Sequence, residues 1–233
     1  MLELKNFSNF ILKDISFILE KNENLLILGE NGAGKSTLAK VLSNLLPSSN
    51  LFFESKNIKD FSSYDRAKYI NYIPSRFEIF DEYLNVLEYL KLSIIEEKNI
   101  EDIEKIISLL KLEDIKLNSC VDLSSGEQQL LLLASALLHN AKITIFDELT
   151  ANLDLNRVKD VFDILNSSLL SQKIVITHNL DFAYALKDFK VLFLQKGSLK
   201  FFGSHSEFFI QENLNRFYGE NLKLLDSHLV LDL

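Results

Sequence analysis

Hydrophobic positions follow two rhythms along the chain. Up to Phe53 the apolar runs are short and broken by polar turns. Leu2 and Leu4 alternate with charges, Ile11-Leu12 and Ile15–Leu19 follow, Leu25–Leu28 is wholly apolar, and Leu51–Phe53 closes the series. Such runs predict strands, separated here by the polar turn 21–24 and the breaker Pro47-Ser48-Ser49-Asn50. A helical run from Leu38 to Leu46 interrupts them. Ser62 or Ser63 predicts a cap for a short helix through Ala67, and Tyr69–Ile73 reads as a strand stopped by Pro74.

From about Leu84 to Leu138 the rhythm turns helical, with Leu84, Leu87, Leu90 and Ile94 on one face and Ile103, Ile106, Ile107 and Leu110 on another. This predicts a helical subdomain, about residues 76–138, inserted between two parts of a sheet domain. Strands resume at Ile143–Phe146, Ile174–Ile176 and Val191–Leu194. Between them run a helix with Val158, Val161, Phe162, Leu165 and Leu169 on one face and a second helix through Phe182 and Ala185. Gly197-Ser198 predicts a hairpin into Leu199–Phe202. Strands alternating with helices predict an α/β fold with a mostly parallel sheet and helices on its faces.

Composition narrows the class. The chain has 233 residues, 47% hydrophobic and 25% charged, which suits a globular protein of one or two domains. A net charge of −8 offers no general basic field for nucleic acid or anionic lipid. The single cysteine, Cys120, rules out an internal disulfide framework and fits a reducing cytosol, where its ordinary role is a small buried apolar residue. Residues 1–5 lack the basic and apolar regions of a signal peptide. The longest apolar stretch, Leu130–Leu138, falls far short of the roughly 20 residues that span a bilayer. The expectation is a soluble chain that reaches any membrane through a partner.

The chemistry concentrates after the apolar run Leu25–Leu28. Gly29-Glu30-Asn31-Gly32-Ala33-Gly34-Lys35-Ser36-Thr37 is a glycine-rich phosphate loop set between a strand and a helix. Its glycines let successive amides point inward as an anion nest, and the helix that follows adds its positive end. Lys35 would reach the β- and γ-phosphates, and the Ser36 hydroxyl would ligate Mg²⁺. A glycine-rich turn without ligand is the alternative that the flanking strand and helix disfavour.

Three further segments gain meaning beside that loop. Ile143–Phe146 delivers Asp147 and Glu148 to a strand's carboxyl end, where doubly wound sheets place ligand groups. Asp147 can hold Mg²⁺ through water, and Glu148 can polarise an attacking water, a role that typically contributes about 10²–10⁴-fold in rate. His178 ends the strand Ile174–Ile176 and can hydrogen-bond the terminal phosphate or that water. Ser124-Ser125-Gly126-Glu127 opens the apolar helix Leu130–Leu138. The pattern is a capping box, and it is equally a second phosphate-binding surface. Two such surfaces suggest a dimer that shares nucleotide.

Phosphate loop, Leu-Ser-Ser-Gly-Glu, Ile-Phe-Asp-Glu, Ala-Asn-Leu-Asp and Ile-Thr-His occur in the order and approximate spacing of ATP-binding cassette (ABC) ATPases. The resemblance covers nearly the whole chain, 1–233, as one nucleotide-binding domain. It implies a P-loop, RecA-like lobe with an antiparallel β-subdomain and a helical subdomain. It also implies ATP with Mg²⁺, and a head-to-tail dimer in which each ATP lies between one copy's phosphate loop and the other's signature. Residues 29–37 match Walker A, Asp147 the Walker B aspartate, Glu148 the catalytic glutamate, Ser124 to Glu127 the signature, Asp154 the D-loop and His178 the switch histidine. Ser75 stands where the Q-loop glutamine is expected, Leu149 where a proline is usual, and Ser125 where the signature has a glycine. The adenine-stacking aromatic has two candidates, Phe7 and Phe10, for each of which a core position is the commoner role.

Segment 62–74 and the tail 214–223 resemble the branch that imports iron-siderophores, haem and cobalamin. That branch implies membrane permease subunits, an external binding protein acting indirectly, and a cytoplasmic location on the inner face of the membrane. An exporter ATPase and a soluble ABC protein are the alternatives. The acidic balance argues against nucleic-acid work, and no Asn-Lys-x-Asp motif supports a GTPase.

Overall fold

The computed structural model describes residues 1–151, 153–220, 222–225 and 228–231. The chain divides into two compact units, Met1–Asp60 with Ile174–Leu233, and Phe61–Lys173.

The first unit opens with strands β1 (Leu2–Phe7) and β2 (Ile15–Leu19), whose alternate residues are buried, as the sequence pattern requires. β3 (Asn24–Gly29) is buried along Leu25–Leu28 and leads through the glycine loop into helix α1 (Lys35–Leu42). β4 (Leu51–Phe53) and β5 (Lys56–Asn57) complete an antiparallel sheet of order β2-β1-β4-β5. The predicted strand at Ile11-Leu12 is instead a turn. The Asn9 carboxamide oxygen accepts from the Ile11 and Leu12 amides at 2.8 and 2.6 Å, which bends the chain while Leu12 stays fully buried.

The second unit starts with α2 (Ser63–Tyr69), capped by the Ser62 hydroxyl, and β6 (Ile70–Ile73). Helices α3 (Val86–Leu92) and α4 (Ile103–Leu109) follow. In α3 the fully buried residues are Val86 and Leu90, while Leu87 is only half-buried, and Leu84, expected on the same face, precedes the helix and its cap Asn85. Helix α5 (Ser125–His139) is buried almost all round, consistent with its unbroken apolar run. Its end is set by Asn140 in a left-handed conformation and by His139, whose Nε2 lies 2.7 Å from the Ala67 carbonyl. β7 (Ile143–Asp147), buried at every position, pairs parallel with β6 in the register Ile70↔Ile143 to Ile73↔Phe146. Helix α6 (Leu155–Asn166) buries Val161, Ile164 and Leu165. Leu169 was expected on this apolar face, but it lies beyond the helix end and is exposed, because Ser167 is already extended.

The chain returns to the first unit with β8 (Gln172–Ile176), α7 (Leu180–Ala185), β9 (Phe189–Gln195) and β10 (Ser198–Ser204). β3 lies between β8 and β9 and is parallel to both, and the β9–β10 hairpin adds an antiparallel edge. Helices α8 (His205–Phe208) and α9 (Gln211–Tyr218) cover β9 through an aromatic cluster, in which Phe193 stacks on Phe217 at 4.4 Å between centroids. A terminal hairpin, β11 (Leu222–Leu225) with β12 (His228–Leu231), was not predicted from the sequence. Among the described residues no helix is long and apolar enough to cross a membrane.

Candidate functional site

In the first unit, buried β3 delivers its last residue, Gly29, to within van der Waals reach of the Leu194 carbonyl on β9, so that any side chain there would collide with backbone. The loop then tightens, with the Ala33 amide donating to the Glu30 carbonyl at 3.1 Å. Gly32 and Gly34 have φ of +77° and +101°, and Gly34 caps α1 with no side-chain acceptor at the helix start. A phosphate oxygen is the acceptor this arrangement suits. Lys35 is buried and its Nζ donates to the Gly29 and Glu30 carbonyls at 2.8 and 3.0 Å. The ammonium is thereby folded back over the loop. Glu30, Asn31 and Ser36 are exposed at the mouth, Thr37 is half-buried and Ala33 is packed inside. These residues fit a bound polyphosphate.

The same unit supplies two neighbours. A Cβ on Gly34 would lie 2.8 Å from Leu12 Cδ2 and 3.0 Å from Ile11 Cγ2, so the Asn9 turn lies against the start of α1. Phe10, in that turn, is 88% exposed rather than in the core, whereas Phe7 on β1 is half-buried. His178 follows β8 and is exposed. It sits at a corner fixed by Thr177, whose hydroxyl accepts from the Asn179 amide at 3.1 Å, and by Asn179, whose side chain caps α7.

The second unit carries the carboxylates and the signature. Asp147 ends β7 buried, and the Tyr72 hydroxyl on neighbouring β6 donates to its Oδ2 at 3.0 Å. Burial first, then the charge of Asp147, pushes the Tyr72 hydroxyl well above its ordinary pKa, so it remains a donor. Glu148 is half-exposed with φ of +58°, and its carbonyl accepts from Ala151 at 3.1 Å. A residue with a side chain in the left-handed region is strained, and such strain gathers at functional positions. Leu149 is buried beside it.

Ser124 caps α5 through a capping box. Its hydroxyl accepts from the Glu127 amide at 3.4 Å, and the Glu127 carboxylate accepts from the Ser124 amide at 2.8 Å. The Ser124 hydroxyl also donates to Glu127 Oε2 at 2.5 Å, and this bond first, then the one from the Ser124 amide, holds the Glu127 carboxyl below its ordinary pKa, with a smaller contribution from Arg157. Ser125 is exposed and Gly126 buried. Asp154 caps α6, its Oδ1 accepting from the Asn156 and Arg157 amides at 3.0 Å each. Asn152, in the same motif, lies outside the described residues. The Ser75 carbonyl accepts from Gln129 Nε2 at 3.1 Å.

The phosphate loop, Phe10 and His178 therefore belong to one unit, and Ser75, the signature, Asp147, Glu148 and Asp154 to the other. Tyr72, Gln129 and Arg157 escaped the sequence reading because each acts on a motif residue far away along the chain.

The profile of the ABC transporter family matches residues 12–151. An uncharacterized ABC transporter ATP-binding protein of Methanocaldococcus jannaschii is 33% identical over 224 residues, covering 91% of this chain and 87% of that one. A probable iron chelatin transport ATP-binding protein of Helicobacter pylori is 30% identical over 260 residues, covering 99% and 98%. Among solved structures, a chain of an inward-facing transporter described as metal-chelate type superposes with a TM-score of 0.77 at 23% identity, covering 99% of this chain and 96% of that chain. At that identity the likeness speaks for the fold.

Proposed function

Because the chain belongs to the ABC transporter family, as an ATPase that uses ATP with Mg²⁺, we propose that it is the motor subunit of a metal-chelate importer. The observation that carries this reading is the end-to-end similarity to the Helicobacter pylori iron chelatin protein, 99% of one chain against 98% of the other. Segment 62–74 and tail 214–223, which resemble the same branch, support it.

In the proposed mechanism the loop amides and Lys35 bind and orient the triphosphate. Phe10 provides the adenine with a stacking face at the loop's edge. Ser36 and Asp147 would hold Mg²⁺, which would supply charge neutralisation to the triphosphate. Glu148 takes the proton of the attacking water, and His178 hydrogen-bonds the terminal phosphate. Ser124, Ser125, Gly126 and Glu127 present the signature to ATP held by a second copy, with Asp154 beside them. Closing and reopening of that dimer drives permease subunits, on which an external binding protein delivers cargo.

Exporter ATPases share the catalytic motifs, so the test concerns the partners. Tagged Glu148→Gln protein is incubated with Mg-ATP and detergent-solubilised membranes of the source cells, and captured proteins are identified by mass spectrometry. A polytopic permease whose gene neighbours encode an external binding protein is the expected result. A permease fused to its own ATPase domain, or soluble partners alone, would overturn the importer reading.

A further inference from the structure

One cation at the signature has no role in the reading above. The Arg157 guanidinium covers Gly126: a Cβ built on that glycine would meet Arg157 Nη1 at less than contact distance and Cζ at 3.5 Å. The space a side chain would fill at the signature glycine is thus filled by an arginine from α6. Arg157 Nε lies 3.5 Å from Asp154 Oδ2, and the arginine side chain is 32% exposed. The same charge is felt by Glu127. A guanidinium is therefore placed beside the Ser124–Glu127 turn and tied to the D-loop aspartate by one long ion pair.

An exposed ion pair of this length does little to hold a fold. Asp154 already has its structural task, since its other oxygen accepts from two amides of α6. What the arrangement does provide is a planar cation, with donors unused among the described residues, over the backbone of a phosphate-binding turn, a geometry matched to phosphate oxygens. We propose that Arg157 is a phosphate-binding residue of the signature surface, contacting the terminal phosphate of a nucleoside triphosphate held by a second copy of the chain. This rests on the dimer proposed above. It adds a cation to a surface that otherwise offers the hydroxyls and amides of the turn and the Glu127 carboxylate, and it gives Asp154 a second role. When Arg157 turns to phosphate, Asp154 loses its ion pair, so the D-loop senses that the triphosphate has arrived.

The test uses the full chain in the Glu148→Gln background, with dimer dissociation constants from sedimentation in Mg-ATP. Binding of a fluorescent ATP analogue to dilute, monomeric protein is measured in parallel. Arg157→Ala and Arg157→Gln should weaken the dimer about tenfold or more, the loss expected for a charge-assisted contact, while binding by dilute monomer and the melting temperature stay unchanged. Arg157→Lys should recover part of the loss. Increasing salt should weaken the parent dimer more steeply than the Arg157→Gln dimer, which a purely structural arginine would not cause. If the parent dimerises and both charge-removing variants dimerise as tightly, the assignment of Arg157 falls and the dimer stands. If the parent fails to dimerise, the dimer reading fails and this assignment falls with it.

Discussion

At the residue scale, the site is built from side chains held in conformations that their surroundings must enforce. Glu148 combines a positive φ with a position directly after buried Asp147, so its carboxylate is aimed by β7 and by the turn to Ala151. Tyr72 supplies one of the donors to the Asp147 carboxylate. Tyr72→Phe keeps the ring and removes the donor, so it should destabilise the free protein by about 1–3 kcal/mol, the cost of depriving a buried acceptor of a partner. Melting in urea with and without Mg-ADP checks this, and the deficit should shrink when ligand is bound. Ser75 is held through its carbonyl by Gln129. Ser75→Gln should therefore leave the backbone in place and raise turnover, or lower the Mg²⁺ needed for half-maximal rate, by restoring side-chain reach. Equal ATPase rates across a Mg²⁺ titration would contradict that.

At the scale of elements, much was legible because the determinants are local. The apolar run before Gly29 reads directly as β3, and the unbroken apolar run after the signature reads directly as α5. A phosphate loop binds through the backbone of a few consecutive residues, so its chemistry is visible in a short window. Illegible features depended on polar contacts, near or distant, that the apolar rhythm does not carry. Ile11-Leu12 resembles a strand, but Asn9 turns it, and its apolar side chains pack against Gly34. Leu169 fits the helical spacing of α6, yet the helix ends before it. Nothing in the local pattern announces that Tyr72 meets Asp147 or that Arg157 covers Gly126. The Asn9 turn makes its own prediction. Phe10→Ala should weaken ATP binding about tenfold through lost stacking, and Asn9→Ala should do so less strongly by letting the turn relax. Phe10→Ala should leave the melting temperature nearly unchanged, because Phe10 is exposed, whereas Asn9→Ala should lower it by releasing the Ile11 and Leu12 amides. Isothermal titration with ATP against a minimal triphosphate separates the cases, since triphosphate affinity should not change.

At the scale of the whole molecule, acid stability follows from two histidines. His205 is buried and His139 half-buried, and desolvation holds both below the ordinary value of 6.5. The unfolded chain then takes up protons that the folded chain resists, so stability is full above pH 6.5 and declines as pH falls through it. The carboxyls held low, Glu23, Glu113, Glu127 and Glu207, contribute losses only further down, below about 4.5. Melting temperature should accordingly fall between pH 7.5 and 5.5, and a His139→Gln, His205→Gln double variant should show a flatter profile over that window whatever its absolute stability.

In the proposed mechanism this chain hydrolyses ATP as a dimer with Glu148 as the base. The most direct measurement is steady-state ATPase activity per subunit as a function of protein concentration, for the parent, Lys35→Ala and Glu148→Gln. Specific activity should rise with concentration and then saturate. Lys35→Ala should be inactive, and Glu148→Gln should lose about 10²–10⁴-fold in rate while still binding ATP. Specific activity independent of concentration over the whole range, or a Glu148→Gln variant as fast as the parent, would contradict that mechanism.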